Sequence, residues 1–372
     1  LIGKPRRSAY KSRHGNGFCT DCVMARIVMA DDGIAFDGRS PEIGPLGGAE
    51  SAFVALAEAL ARRGHVVQAY TKCAAPLQHN GVEWQPIDRG TPEGADLYIA
   101  NRGDKLLTLL PEARATAFWI HNPAKYLLKV RYLTKLWRRQ PTLVFLSAYH
   151  AATYPAWAPG SRRVVIPHGI ADCFRTASEP LIPPRPRAIF TSNPLRSLGW
   201  LIELWVTRVF PAVPKAELHV FSGPTTYGAV GAAKSNEMAP VLAQARAMKD
   251  AGVVLREPLP RDQLAVELPQ FRVFTYRGSD DETFCFAAGE AQAAGVPAVV
   301  SDFGALAERV RDRDSGFVVA PDTEREERDF ATSTIKVLTD DTLWRRLHKG
   351  AIEHQRSRGW DAAAADFETL IG

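Results

Sequence analysis

Two glutamates eight positions apart, Glu282 and Glu290, bracket the run ETFCFAAGE, whose other residues are mostly apolar or small. Glu290 falls within a helical pattern over roughly 284–294, among Ala287, Ala288, Ala291, Ala293 and Ala294. A carboxylate packed on most sides needs a partner, because stripping its water costs more than packing returns. Glu282 lies in the loop after the apolar run RVFTY, so one carboxylate can face the reacting end of a ligand while the other meets a pair of hydroxyls further along. Vicinal hydroxyls would satisfy Glu290 much as they satisfy the acidic residue that grips ribose in dinucleotide-binding folds. The competing reading is a Glu290 bridged to an arginine in the core. Two glutamates with a phosphate-suited loop between them favour the ligand.

Three other strand-end loops carry candidate chemistry. In FTSNPLRSLGW, Arg196 follows an apolar strand and leads into a helix, a place where a permanently charged fork suits a diphosphate; the alternative is a solvated surface arginine. In FWIHNPAKY, His121 ends an apolar run and can hydrogen-bond a substrate hydroxyl or serve only the structure. In GPLGGAE, Gly47 and Gly48 let backbone N–H groups approach an anionic or sugar ligand, or simply make a tight turn; the run lacks GxGxxG spacing. Cys19 and Cys22 form a lone CxxC with no second pair at a suitable distance, and Asp312–Asp314 precedes SGFVV and reads as a turn, so no metal is expected.

The elements that must position these residues alternate. ARIVMA, then GPLGGAE, then a helix with Phe53, Leu56, Ala57 and Leu60 on one face, then HVVQAY make a strand–helix–strand unit of the parallel α/β kind. DLYIA, ATAFWI, TLVFLS and RRVVIP continue that half. After the proline-rich SEPLIPPRPR, a second series of AIFTS, ELHVFSG, GVVLRE, RVFTYR, PAVVS and GFVVA runs towards the C-terminus. At 372 residues, two domains are the default, and the series fits two Rossmann-like doubly wound α/β domains facing each other across a cleft. A hydrophobic fraction of 46%, a charged fraction of 23% and a net charge of +5 are those of a globular chain and do not argue nucleic-acid binding. No apolar run approaches the length of a membrane span, and five mostly scattered cysteines fit a reducing compartment. Residues 1–23 lack the apolar centre of a secretion signal and read as a leader or extension.

At these residues the sequence resembles the retaining glycosyltransferases of GT-B type, family 4 or group 1. GGAESAFVALAEALARRGHVV is similar to that family's glycine loop and first helix, and VVIPHGI to its interdomain strand and turn. DETFCFAAGEAQAAGVPAVVSDFGALAERV is similar to its E-x7-E signature. The resemblance implies an N-terminal acceptor-side domain over 24–175, a nucleotide-sugar-binding domain over 176–352 and a closing helix over 353–372 that returns to the first domain. It implies that Glu290 binds ribose hydroxyls of a nucleotide-diphosphate sugar and that Glu282 lies beside the donor sugar. Backbone N–H groups around Phe284, Cys285 and Phe286 would reach sugar or phosphate oxygens. His121 would sit next to the transferred sugar, Gly47 and Gly48 on the diphosphate side, and Arg196 would neutralise the leaving diphosphate.

The sequence departs from the family pattern at two places. Thr191 or Ser192 stands where an arginine is expected, with Arg277 as a candidate to compensate, and His168 replaces the usual asparagine of the interdomain turn. The activity implied is transfer of a sugar to a hydroxyl acceptor with retained configuration, without cofactor or metal.

The stretch Ala124–Arg139 sets Tyr126, Leu127, Val130, Leu133 and Trp137 among six lysines and arginines. It reads either as a basic amphipathic helix docking on anionic lipid, which suits a lipid-linked or envelope-glycan acceptor, or as a helix packed on the sheet with a solvated basic rim. The expected location is the cytoplasm, at the inner membrane face if the lipid reading holds. A sugar-nucleotide epimerase on the same architecture and a catalytically silent nucleotide- or sugar-binding scaffold are the alternatives.

Overall fold

The computed structural model describes residues 24–44, 46–224, 228–321 and 324–371. Residues 1–23, with Cys19 and Cys22, lie outside the described residues. The strands are β1 (Arg26–Asp31), β2 (Val66–Thr71), β3 (Leu77–His79), β4 (Val82–Pro86), β5 (Leu97–Asn101), β6 (Ala115–Trp119), β7 (Thr142–Phe145) and β8 (Arg162–Val165). A second set follows: β9 (Arg187–Phe190), β10 (Glu217–Phe221), β11 (Val253–Arg256), β12 (Val273–Tyr276), β13 (Ala298–Ser301) and β14 (Gly316–Val319).

The first sheet runs β3-β4-β2-β1-β5-β6-β7-β8 and is parallel except for β3, which pairs antiparallel with β4. That hairpin was not anticipated, although its turn is Asn80–Gly81 with φ of 47° and 80°, the positive angles a two-residue hairpin turn demands. The second sheet runs β11-β10-β9-β12-β13-β14, all parallel, with chain order reversing between β9 and β12. In such a sheet, ligands bind beyond the carboxyl ends of the strands at that reversal. Arg196 follows β9 and Glu282 follows β12.

Helix Gly48–Arg62 buries Phe53, Leu56, Ala57 and Leu60 completely against the first sheet. Each large side chain so buried contributes about 1.5–3 kcal/mol. The C-terminal helix Trp360–Glu368 crosses back and packs on the same helix. There Glu368 takes a two-pronged ion pair from Arg63, 2.5 and 2.7 Å, and a 2.8 Å contact from His65 Nε2. A second crossing ties Ile170 to the segment before that helix, with the Ile170 N–H donating to Arg358 O at 3.0 Å.

The basic stretch differs from expectation. It is a 3-10 turn, Ala124–Leu128, then an α-helix, Val130–Arg139, separated by Lys129 in an extended conformation. The break rotates the apolar face, so Tyr132 and Leu136 are buried while Val130 and Trp137 point outward. Among the described residues, no helix is long and apolar enough to cross a membrane. The Asp312–Asp314 run forms the expected turn, bridging Asp312 to Gly316.

Candidate active site

A cleft with a volume of about 380 Å³ separates the two sheets. That is within the range of small-molecule sites. Gly48, His121, Arg196, Glu282, Phe284, Cys285, Phe286 and Glu290 all line it. Gly47 does not, although it caps the helix whose first turn does.

On the second sheet's side, two arginine–glutamate pairs occupy the cleft wall. Arg196 Nη1 pairs with Glu282 Oε1, and Arg261 Nη2 pairs with Glu290 Oε1. Both carboxylates are buried, Glu282 at 5% and Glu290 at 8% exposure, while each arginine keeps a solvent-facing part. Glu290 therefore has the partner its burial requires, and that partner is an arginine. Arg261 opens helix Arg261–Glu267 after β11 and also lies over the Phe286 ring, 5.4 Å from its centroid.

The segment between the glutamates is shaped by its backbone. The helix begins at Phe286, two residues later than its sequence pattern indicates, because Cys285 precedes it in the left-handed region with φ of 63°. Such a conformation is costly for a non-glycine residue and persists only where the surroundings hold it. Burial and the adjacent Glu282 push the Cys285 thiol well above its usual range. Glu282 is fixed from behind by Gly304: the Ala305 N–H donates to Glu282 O at 2.8 Å. A Cβ at Gly304 would overlap that carbonyl and stand 2.9 Å from Glu282 Cβ.

The facing wall belongs to the first sheet. Asp31 Oδ2 accepts from Asn101 Nδ2 at 2.6 Å, which turns Asn101 Oδ1 towards His121 Nε2 at 2.7 Å. Since Asn101 Oδ1 only accepts, His121 carries its proton on Nε2 and offers Nδ1 as an acceptor. Burial, with His168 and Arg102 nearby, holds His121 well below the usual imidazole range, so it is neutral near pH 7. Arg102 Nη2 bridges Asp31 and Glu50, both at 2.8 Å, and Glu50 is the group a Cβ at Gly47 would strike. A Cβ at Gly48 would meet Phe286 at an ordinary 3.5 Å. His168 stacks between His121 and Phe286, with ring centroids 5.3 and 4.8 Å away.

One expectation needs correcting. Arg277 does not stand in for the absent arginine of the diphosphate loop; it makes a two-pronged pair with Glu326, 2.7 and 2.8 Å, outside the cleft lining. Thr191, Ser192 and Asn193 line the cleft where that arginine was expected. Arg261, Asn101 and Arg102 were not singled out from sequence. Arg261 had the same signal as Arg196, a cation in the loop after a parallel strand.

Residues 189–340 match the family model described as glycosyl transferases group 1. Curated relatives include a D-inositol 3-phosphate glycosyltransferase of Streptomyces bingchenggensis, 36% identical over 110 residues, which cover 30% of this chain and 23% of that protein. Another, of Stackebrandtia nassauensis, is 32% identical over 161 residues, covering 43% and 34%. The matches thus span about a quarter to a third of these relatives. Among solved structures, sucrose-phosphate synthase from Thermosynechococcus elongatus aligns with a TM-score of 0.70 at 14% identity, covering 93% of this chain and 98% of that one. Anabaena HepE in complex with UDP and glucose aligns with a TM-score of 0.68 at 14% identity, covering 93% and 99%. Residues 189–340 are therefore similar to the glycosyl transferases group 1 family, in a chain with the two-domain GT-B fold.

Proposed function

We propose that the protein is a retaining glycosyltransferase that moves a sugar from a nucleotide-diphosphate sugar to a hydroxyl acceptor. The observation that carries this reading is the convergence of two arginine–glutamate pairs with a neutral histidine from the opposite sheet on one cleft. In this reading the donor's ribose takes over Glu290 from Arg261 through its vicinal hydroxyls. The diphosphate draws Arg196 away from Glu282, so that the cation stabilises the departing charge. Glu282 lies beside the donor sugar, with the backbone of Phe284–Phe286 around its oxygens. His121, aligned by Asn101 and Asp31, accepts a sugar hydroxyl through Nδ1. A leaving phosphate oxygen takes the acceptor proton, and no metal is needed because Arg196 and backbone dipoles meet the charge.

The names of the curated relatives make D-inositol 3-phosphate the first acceptor to try. A separate observation supports docking of the acceptor domain on an anionic membrane face: Val130 and Trp137, seven residues apart on one side of a helix, are 75% and 71% exposed beside Lys129, Arg131 and Arg138. The activity is tested by proton NMR of the sugar released from UDP-glucose or GDP-mannose. Initial release in the donor's own α configuration is expected. Initial release as the β anomer, or isomerisation of the intact nucleotide sugar, would contradict the reading, the latter in favour of an epimerase.

A further inference from the structure

The loop that carries Glu282 is gripped from the opposite domain. Tyr149 donates its phenolic hydrogen to Asp280 O at 2.8 Å, and Ser147 donates its hydroxyl to Thr283 O at 2.8 Å. Thr283 in return donates to His121 O at 2.6 Å, so the residue after Glu282 is tied by its side chain to the backbone of His121. Glu308 completes the grip. Its carboxylate accepts from the amides of Ala148, 2.9 Å, and Tyr149, 2.7 Å, at the start of helix Ala148–Ala152. Glu308 stands three residues beyond Ala305, whose amide holds Glu282 O. Every bond to residues 280–283 named here ends within one residue of Glu282 or two.

We infer that Ser147, Tyr149 and Glu308 are positioning residues: their contacts from the first domain and beside it hold the Glu282 loop in its place in the site. This rests on the glycosyl-transfer reading for its consequence in turnover, but not for the loop's placement. None of the three side chains lines the cleft, so each acts through the loop and not through the ligand. A neutral hydrogen bond of this kind shifts the docked fraction by roughly 2–10-fold, and the charge-assisted pair at Glu308 by roughly 10–100-fold.

The test is hydrogen exchange, followed by mass spectrometry, on the full chain and on Tyr149→Phe and Glu308→Gln. Alongside it, UDP and GDP affinities and the hydrolysis of UDP-glucose and GDP-mannose are measured. Tyr149→Phe removes one oxygen from a half-buried ring, and unchanged protection of Val273–Tyr276 reports an intact fold. The expected result is faster exchange at the Glu282 and Ala305 amides in both variants, greater in Glu308→Gln, with nucleotide affinity within about threefold of wild type and slower hydrolysis. Unchanged exchange at those amides in both variants would overturn the inference, as would wild-type hydrolysis rates in both. Faster loop exchange with no hydrolysis by any chain, wild type included, would uphold the grip and count against the transfer reading alone.

Discussion

Replacing Gly304 with alanine should disable the site without changing the identity of any side chain in it. Gly304 has φ of 59°, a left-handed conformation that costs an L-residue about 1–2 kcal/mol. The added Cβ overlaps the Glu282 carbonyl, which is backbone and cannot rotate away, so the 2.8 Å bond from the Ala305 amide is lengthened or lost. That loss adds about 1 kcal/mol, for a total of about 2–3 kcal/mol. In a domain of about 150–250 residues, each kcal/mol lowers Tm by about 2–4 °C, so calorimetry should read a fall of about 4–12 °C. Moving Glu282 by about 1 Å should reduce nucleotide-sugar turnover on the order of 10²-fold. Gly48→Ala is the control: its Cβ makes only an ordinary contact with Phe286, and Tm should hold or rise slightly. A Gly304→Ala protein with wild-type Tm and turnover would refute the claim that this glycine sets Glu282.

Stability should fall in mild acid. His150 is fully buried, takes the Leu146 amide on Nδ1 at 3.1 Å and reaches Asn122 O through Nε2 at 2.8 Å, which requires the neutral ring. Burial lowers it from 6.5 to about 4. The unfolded chain binds this proton first, so the contribution is intact above pH 6.5 and is lost as pH falls towards 4, by about 3 kcal/mol. Denaturant unfolding at pH 7, 6 and 5 measures it, and His150→Gln should flatten the slope. Trp137→Glu should weaken co-sedimentation with vesicles containing anionic phosphatidylglycerol by about tenfold or more, with no change on neutral vesicles; equal binding by the variant would leave the helix as a solvated rim.

Much of this architecture was legible because its signals are local. All six strands of the second sheet appear as apolar runs punctuated by glycine or proline, and the helix bearing Phe53, Leu56, Ala57 and Leu60 shows its buried face by spacing alone. The hairpin β3–β4 escaped notice because its strands are short and only Asn80–Gly81 marks it. The glutamate pair was legible from its spacing, but its arginine partners were not. Arg196 and Arg261 lie 86 and 29 residues from the glutamates they meet, distances that only the strand order closes. The Ala124–Arg139 stretch was only partly legible for a local reason: the extended Lys129 resets the helical phase, so Leu127 is buried while Val130 and Trp137 are exposed.

The central claim is that Glu290 exchanges Arg261 for the ribose of a nucleoside diphosphate. Isothermal titration of UDP, GDP and ADP into wild type and Glu290→Ala tests it most directly. Hydrogen bonds to a buried carboxylate are worth about 1.5–3 kcal/mol, so one nucleotide should bind the wild type and lose about 10–100-fold in the variant. A nucleotide that binds both proteins equally, or a wild type that binds none of the three, would contradict the account.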